Sequence, residues 1–73
     1  MITEVNVGDL LEYSDGHSRQ YLCVVISSYK DGLDRKSFDV VWITEEANIK
    51  MFGQKHYVLS TINKNHVKWR KLA

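Results

Sequence analysis

The sequence predicts an all-β domain built from five short strands. Three observations carry this expectation. Residues 37 to 44 are the most strand-like run, with β-branched or aromatic side chains at six of eight positions: Phe38, Val40, Val41, Trp42, Ile43 and Thr44. Turn-forming, charged segments bracket that run on both sides. No stretch carries the apolar spacing of a helix of ordinary length.

The first strand is expected between Val5 and Tyr13, with Gly8-Asp9 marking a bulge or bend. Ser14-Asp15-Gly16 is a turn signal, because glycine takes positive φ without steric cost. Residues 21 to 29 form the second strand. Leu22, Val24 and Ile26 alternate there with Tyr21, Cys23 and Val25, so both faces are apolar. Burial on both sides, or a strand bending round a barrel corner, accounts for such a pattern. Residues 30 to 36 make a charged, protruding hairpin loop with Asp31-Gly32 as its turn dipeptide. In the third strand Phe38, Val40 and Trp42 share one face, and Asp39, Val41 and Ile43 the other.

Residues 45 to 53 fit either a helical turn or a long loop. Ile49, Met51 and Phe52 are too apolar to be left in water and are expected to pack or to bind. Residues 54 to 60 form the fourth strand. Residues 60 to 65 form a connector read as one 3₁₀ turn, and residues 66 to 72 the fifth strand. The expected core is Val7, Leu10, Leu22, Val24, Ile26, Val40, Trp42, Val58, Val67 and Trp69.

Seventy-three residues are enough for a single domain. A chain of this size buries only about 60% of its unfolded surface, so its core is marginal. Cys23 is the sole cysteine, which rules out an intrachain disulfide and a zinc site with two or more cysteines. A protein partner or self-association is therefore expected to supplement the core. The lone cysteine, and an N-terminus without a basic and apolar leader, point to a reducing cytoplasmic setting. The longest apolar run, Leu22 to Ile26, is too short to span a membrane.

The net charge of +1 conceals an asymmetry. Residues 1 to 46 hold four cations against nine acids, a net −5, and residues 47 to 73 hold six cations and no acid, a net +6. Either the two halves neutralise each other across the sheet, or the second half offers a basic face to an anionic partner. Lys64, His66, Lys68 and Arg70 recur at period two, so on a strand they would line one face, with Lys71 beside them. That is the candidate basic binding face, and nucleic acid its candidate ligand. The aromatic needed for base stacking is not interleaved there, since Trp69 falls on the opposite parity. The candidate apolar contact surface is Val41, Ile43, Ile49, Met51 and Phe52.

Catalytic chemistry finds little support. Cys23, between Leu22 and Val24 in a strand, reads as a buried structural thiol rather than an activated nucleophile. His56 and His66 would meet if strands four and five paired, but neither helical spacing nor cysteine supports a metal there. Asp31 and Asp34 lie among Lys30, Arg35 and Lys36, a self-neutralising loop rather than a carboxylate dyad. Gly32 and Gly53 are isolated, so no phosphate-cradling loop is present. The expectation is a non-enzymatic protein with no metal and no cofactor.

Val7-Gly8-Asp9-Leu10-Leu11, Val24-Val25-Ile26, Val40-Val41-Trp42, Tyr57-Val58-Leu59-Ser60, the turn after it and Val67-Lys68-Trp69 together resemble the small SH3-like barrel proteins common in tailed-bacteriophage genomes. The resemblance covers residues 5 to 72 and rests mainly on core and turn residues. It implies a five-stranded SH3-like barrel with a short 3₁₀ turn before the last strand. It also implies a protein-binding or structural role, such as an accessory virion protein located in the host cytoplasm or the virion. An inhibitor of a host protein fits the same residues. A KOW- or Tudor-like nucleic-acid module using the basic C-terminal strand is the alternative. Peptide-binding SH3 domains carry an early aromatic pair and a tryptophan opening strand four. Here the early segment offers only Tyr13 and strand four opens Lys55-His56-Tyr57, which argues against a groove for proline-rich peptides. A Tudor-like cage would need Tyr13, Tyr29, Phe52 and Tyr57 to converge.

Overall fold

In a computed structural model, which describes residues 1–14, 16, 20–45 and 54–73, the described residues form one antiparallel sheet and a short helix. The strands are β1 (Leu10–Ser14), β2 (Gln20–Lys30), β3 (Lys36–Trp42), β4 (His56–Val58) and β5 (Trp69–Lys71), and the helix α1 (Leu59–Asn63). The sheet order is β4-β3-β2-β1-β5. β4 and β5 are its two edges and are not paired with each other, so the sheet is open. All four strand pairings are antiparallel.

The local chemistry explains the boundaries. Before β1 the chain makes a turn in which the Asp9 N–H donates to the Asn6 carbonyl at 3.0 Å, and Gly8 takes φ +94° at the third position. The Asp9 carboxylate accepts the Asn6 N–H at 2.7 Å, which closes the turn a second time. This is the bend expected at Gly8-Asp9, and it confines β1 to Leu10–Ser14 instead of a strand from Val5. The Gly8 N–H and the Asp9 carbonyl still bond Val25, at 2.8 and 2.9 Å. Gly16 has φ +84°, the left-handed backbone expected of it.

The β2–β3 hairpin is built around the side chain of Asp31. Its carboxylate accepts the Leu33 and Arg35 N–H groups at 2.9 and 3.0 Å and Arg35 Nε at 2.8 Å. The backbone reversal falls on Asp34, at φ +60°, and not on Gly32 as the Asp-Gly dipeptide suggested. A bulge interrupts the β2–β3 ladder between Val25 and Ser27, leaving Ile26 as the extra residue.

The connector before β5 is an α-turn, where the sequence indicated 3₁₀. Leu59 and Ile62, one turn apart, are its buried residues. Its end tightens, with Lys64 N–H to Thr61 carbonyl at 3.2 Å and Asn65 N–H to Ile62 carbonyl at 3.0 Å, both i→i−3 bonds. Residues 64 to 68 remain in turns, so β5 begins only at Trp69. His66 to Lys68 are therefore not strand residues. Val67, expected in the core beside Trp69, is 84% exposed.

One sheet face carries the core, and it differs from the expected one. Leu11, Tyr21, Cys23, Val25, Phe38, Val40, Trp42, Tyr57 and Trp69 are buried on it, under Ile2, Val5, Leu59 and Ile62. Val40, Trp42 and Trp69 were expected. Leu10, Leu22, Val24 and Val58 are only half-buried, and Val7 and Ile26 are exposed. The parity of β1 and β2 is thus the reverse of the expectation. Tyr13 pairs across the ladders with Tyr21 and Trp69, and Cys23 with Leu11 and Trp42. Trp69 lies 5.1 Å from Tyr57, 5.2 Å from Tyr13 and 6.1 Å from Trp42, ring centre to ring centre. Such tilted aromatic contacts add to the area they bury. Both Trp42 Nε1 and the Tyr57 hydroxyl donate to the Gln54 carbonyl, at 2.8 and 3.2 Å. Burial pushes the Tyr57 phenol up to about 12. Among the described residues every buried side-chain nitrogen and oxygen has a hydrogen-bond partner.

Candidate docking face of the sheet

The face of the sheet turned away from the core carries rows of apolar side chains. Pairing fixes its rows, because residues directly opposite in a ladder project to the same side. One row runs Leu10, Val24, Val41 across β1, β2 and β3. Leu72 extends it beyond β5's end, its N–H donating to the Leu10 carbonyl at 2.8 Å. The next row runs Arg70, Glu12, Leu22 across β5, β1 and β2. Ile43 continues it, its N–H donating to the Leu22 carbonyl at 2.8 Å. Val41 is 48% exposed and Ile43 58%. Ile26 stands at the bulge of the same strand that carries Val24 and is 52% exposed.

The sequence singled out Val41 and Ile43, and the structure places both at the surface on this face. Ile49, Met51 and Phe52, the rest of that candidate set, lie outside the described residues. The sequence missed Leu10, Leu22, Val24 and Ile26 as surface residues. Their signal was present: an apolar residue at every position of Tyr21 to Ile26 leaves one face to find cover other than the core.

The basic residues are not brought onto one strand face. Lys64, His66 and Lys68 are exposed in the turns before β5, and only Arg70 and Lys71 lie in it. Arg70 bonds the Glu12 carboxylate at 3.1 Å, and Lys71 Nζ lies 3.1 Å from the Asp9 carboxylate. Arg70 and Lys71 point to opposite sides of the sheet, because Glu12 and Leu11 are their partners in the ladder. The acidic first half and the basic second half thus meet across β1 and β5. The Asn6 N–H bond, reinforced by Lys71, keeps the Asp9 carboxyl below its ordinary range.

At the other end of the outer face Tyr29, Asp39 and His56 form a cluster. The Tyr29 hydroxyl lies 3.3 Å from Asp39 Oδ1 and 3.1 Å from His56 Nδ1, and His56 Nδ1 lies 2.9 Å from Asp39 Oδ1. Partial desolvation and the Asp39 carboxylate push the Tyr29 phenol upward, so it stays protonated at neutral pH. The cluster ties β2, β3 and β4 together on an open surface. His56 in β4 and His66 before β5 sit at opposite edges of the sheet, so the histidine pair imagined across strands four and five does not form. Among the described residues no group of three or more His, Cys, Asp or Glu side chains is placed to hold a metal ion. Nor do the described aromatics make a cage: Tyr13 and Tyr57 flank Trp69 on the core side, whereas Tyr29 stacks on His56 on the outer face. Phe52 lies outside the described residues.

Cys23 is fully buried, and desolvation pushes its thiol up to about 12. A thiol so placed is inert in the folded chain. Among the described residues no helix is long and apolar enough to cross a membrane. No protein family, curated protein or solved structure matches the chain.

Proposed function

We propose that this chain is a non-enzymatic protein-binding or structural module that docks through the outer face of its sheet. The observation that carries this reading is the aliphatic row Leu72, Leu10, Val24, Val41, with Ile43 and Ile26 beside it, on the face opposite the core. An apolar surface of that continuity on a 73-residue chain is what a docked module presents. The four-strand meander, the helical turn, and the return of the last strand to β1 support an SH3-like arrangement. The likeness to small phage proteins supports an accessory virion component, working in the virion or the host cytoplasm, as the biological setting. The nucleic-acid reading is less well supported, because Arg70 and Lys71 are engaged by Glu12 and Asp9 and diverge across the sheet.

A photocrosslinking amino acid at Val41, compared with one at exposed Lys55, tests the docking face in cells producing the chain. The expected result is a covalent protein adduct from position 41 and none from 55. Adducts at neither site, or equally at both, would contradict it. A low-salt mobility assay with short DNA and RNA tests the alternative, and retarded nucleic acid would favour it.

A further inference from the structure

We propose that the occupant of the outer face is a second copy of this chain, the two sheets packed face to face about a two-fold axis parallel to the strands. This deepens the docking reading above and rests on it. Three features of the face lead there.

The first is size. The chain measures 34 by 22 Å along its two longest axes and has an accessible surface of 4822 Å². A standard stable interface takes about 800 Å² from each partner, roughly a sixth of this surface.

The second is the state of the edges. A sheet can also recruit a copy by strand addition, but both edges are blunted here. At β4 the His56 carbonyl accepts Gln54 Nε2 at 2.9 Å. At β5 the N-terminal segment runs close by, with Lys71 Nζ 3.3 Å from the Glu4 carbonyl. Each edge strand is only three residues long. Edges this short resist strand addition, which leaves the face.

The third is the distribution of charge around the apolar rows, and this selects the axis. Lys68 and Arg70 flank the face on the β5 side, next to Glu12, Ser14 and Gln20. Glu45 is exposed just beyond the end of β3, at the same end of the sheet as Lys68. An axis along the strands, passing between β1 and β2, lays β5 over β3 of the second copy and β1 over its β2. Leu72 then faces Val41, Leu10 faces Val24, and Lys68 comes over the end of β3 that carries Glu45, twice by symmetry. Arg70 keeps Glu12 as its partner, so that row holds no uncompensated charge. An axis across the strands near Trp69 would instead stack β5 on β5, setting Lys68 of one copy against Arg70 of the other. Like charges so placed oppose association.

Sedimentation velocity of the purified chain from about 5 to 500 µM reads the outcome, on a scale where each tenfold change in Kd is resolved. The expected result is a two-chain species that Val41→Glu weakens by more than about tenfold, as burial of an unpaired charge requires. Lys68→Glu and Glu45→Lys each weaken it by about threefold to tenfold, the effect of two exposed ion pairs, and the double variant Lys68→Glu/Glu45→Lys restores it. Circular dichroism establishes that every variant is folded. A chain monomeric at the highest concentration overturns the proposal. So does a dimer indifferent to Val41→Glu, or one weakened by both charge variants without rescue in the double. The crosslink at position 41 separates the two levels of the argument. If the chain is monomeric and the adduct holds a different protein, the second copy fails and the docking face stands. If position 41 gives no adduct, both fail.

Discussion

The side-chain amide of Asn63 makes both hydrogen bonds of a strand pair with the backbone of Ile2. Its Oδ1 accepts the Ile2 N–H at 3.1 Å and its Nδ2 donates to the Ile2 carbonyl at 2.8 Å. The end of α1 thereby holds the N-terminal segment over the core, where Ile2 and Val5 are buried. Asn63→Ala removes both bonds. At roughly 0.5–1.5 kcal/mol for each net hydrogen bond, the expected loss is about 1–3 kcal/mol. For a domain of this size that lowers Tm by about 4–8 °C per kcal/mol. Urea unfolding followed by tryptophan fluorescence measures it, and an unchanged midpoint would mean that the segment is held by packing alone.

Asp31 predicts a distinct acid limb. The backbone N–H of Arg35, with Arg35's side chain and the Leu33 N–H, holds the Asp31 carboxyl from its ordinary 3.8 down to about 2. A carboxyl lowered on folding contributes stability above its unfolded pKa, and that contribution is lost as pH falls through the folded value. The window is therefore pH 4 to 2. Asp31→Asn should be less stable than the natural chain at neutral pH, and the gap should close across that window. Thermal midpoints at half-unit pH steps show whether the two curves converge.

The Cys23 thiol should be silent in the native state. It is fully buried, and burial pushes it up to about 12. A disulfide-exchange reagent at pH 8 should label it only as fast as the chain opens, and at once in denaturant. Cys23→Ser buries a hydroxyl without an assigned partner, which costs about 1–3 kcal/mol, so that variant should open and unfold more readily. Rapid labelling of the folded chain would contradict the burial of β2's inner face.

Trp69 is where the aromatic core converges, in contact with Tyr13, Trp42 and Tyr57. A chain of this length has a total stability of about 4–11 kcal/mol. Trp69→Ala costs about 3–5 kcal/mol of that and should leave a large unfolded fraction at 37 °C. Trp69→Phe keeps a ring and should stay folded with a lowered Tm. Far-UV circular dichroism during a thermal scan distinguishes the two outcomes.

The approximate positions of all five strands were legible in the sequence, because strand propensity and turn chemistry are local. So was the inner face of β3, where Asp39 marks the outer side among otherwise apolar alternatives. In β2 no such mark exists. Tyr21, Cys23, Val25 and Leu22, Val24, Ile26 are equally apolar, and a change of parity exchanges the entire set. What decides it is tertiary: Tyr21 and Cys23 lie opposite Tyr13 and Leu11, and Val25 opposite Val40. Val67 was misplaced for another reason. The chain leaves α1 through turns that persist to Lys68, so the alternation extrapolated back from Trp69 had no strand to act on. The basic face failed with it, since period two has meaning only on an extended backbone. The charge asymmetry was visible, and its resolution through Arg70–Glu12 and Lys71–Asp9 needed the β1–β5 pairing.

Backbone amide NMR spectra recorded from about 50 µM to 1 mM, a range that spans weak association, test the outer face most directly. Concentration-dependent shifts gathered on Leu10, Leu22, Val24, Val41 and Ile43 are expected, with the core-side residues Cys23, Val25 and Val40 moving less. Spectra that do not change over that range in a chain that sediments as a monomer would contradict a second copy on this face, and so would shifts gathered instead on the β4 edge at His56 to Val58.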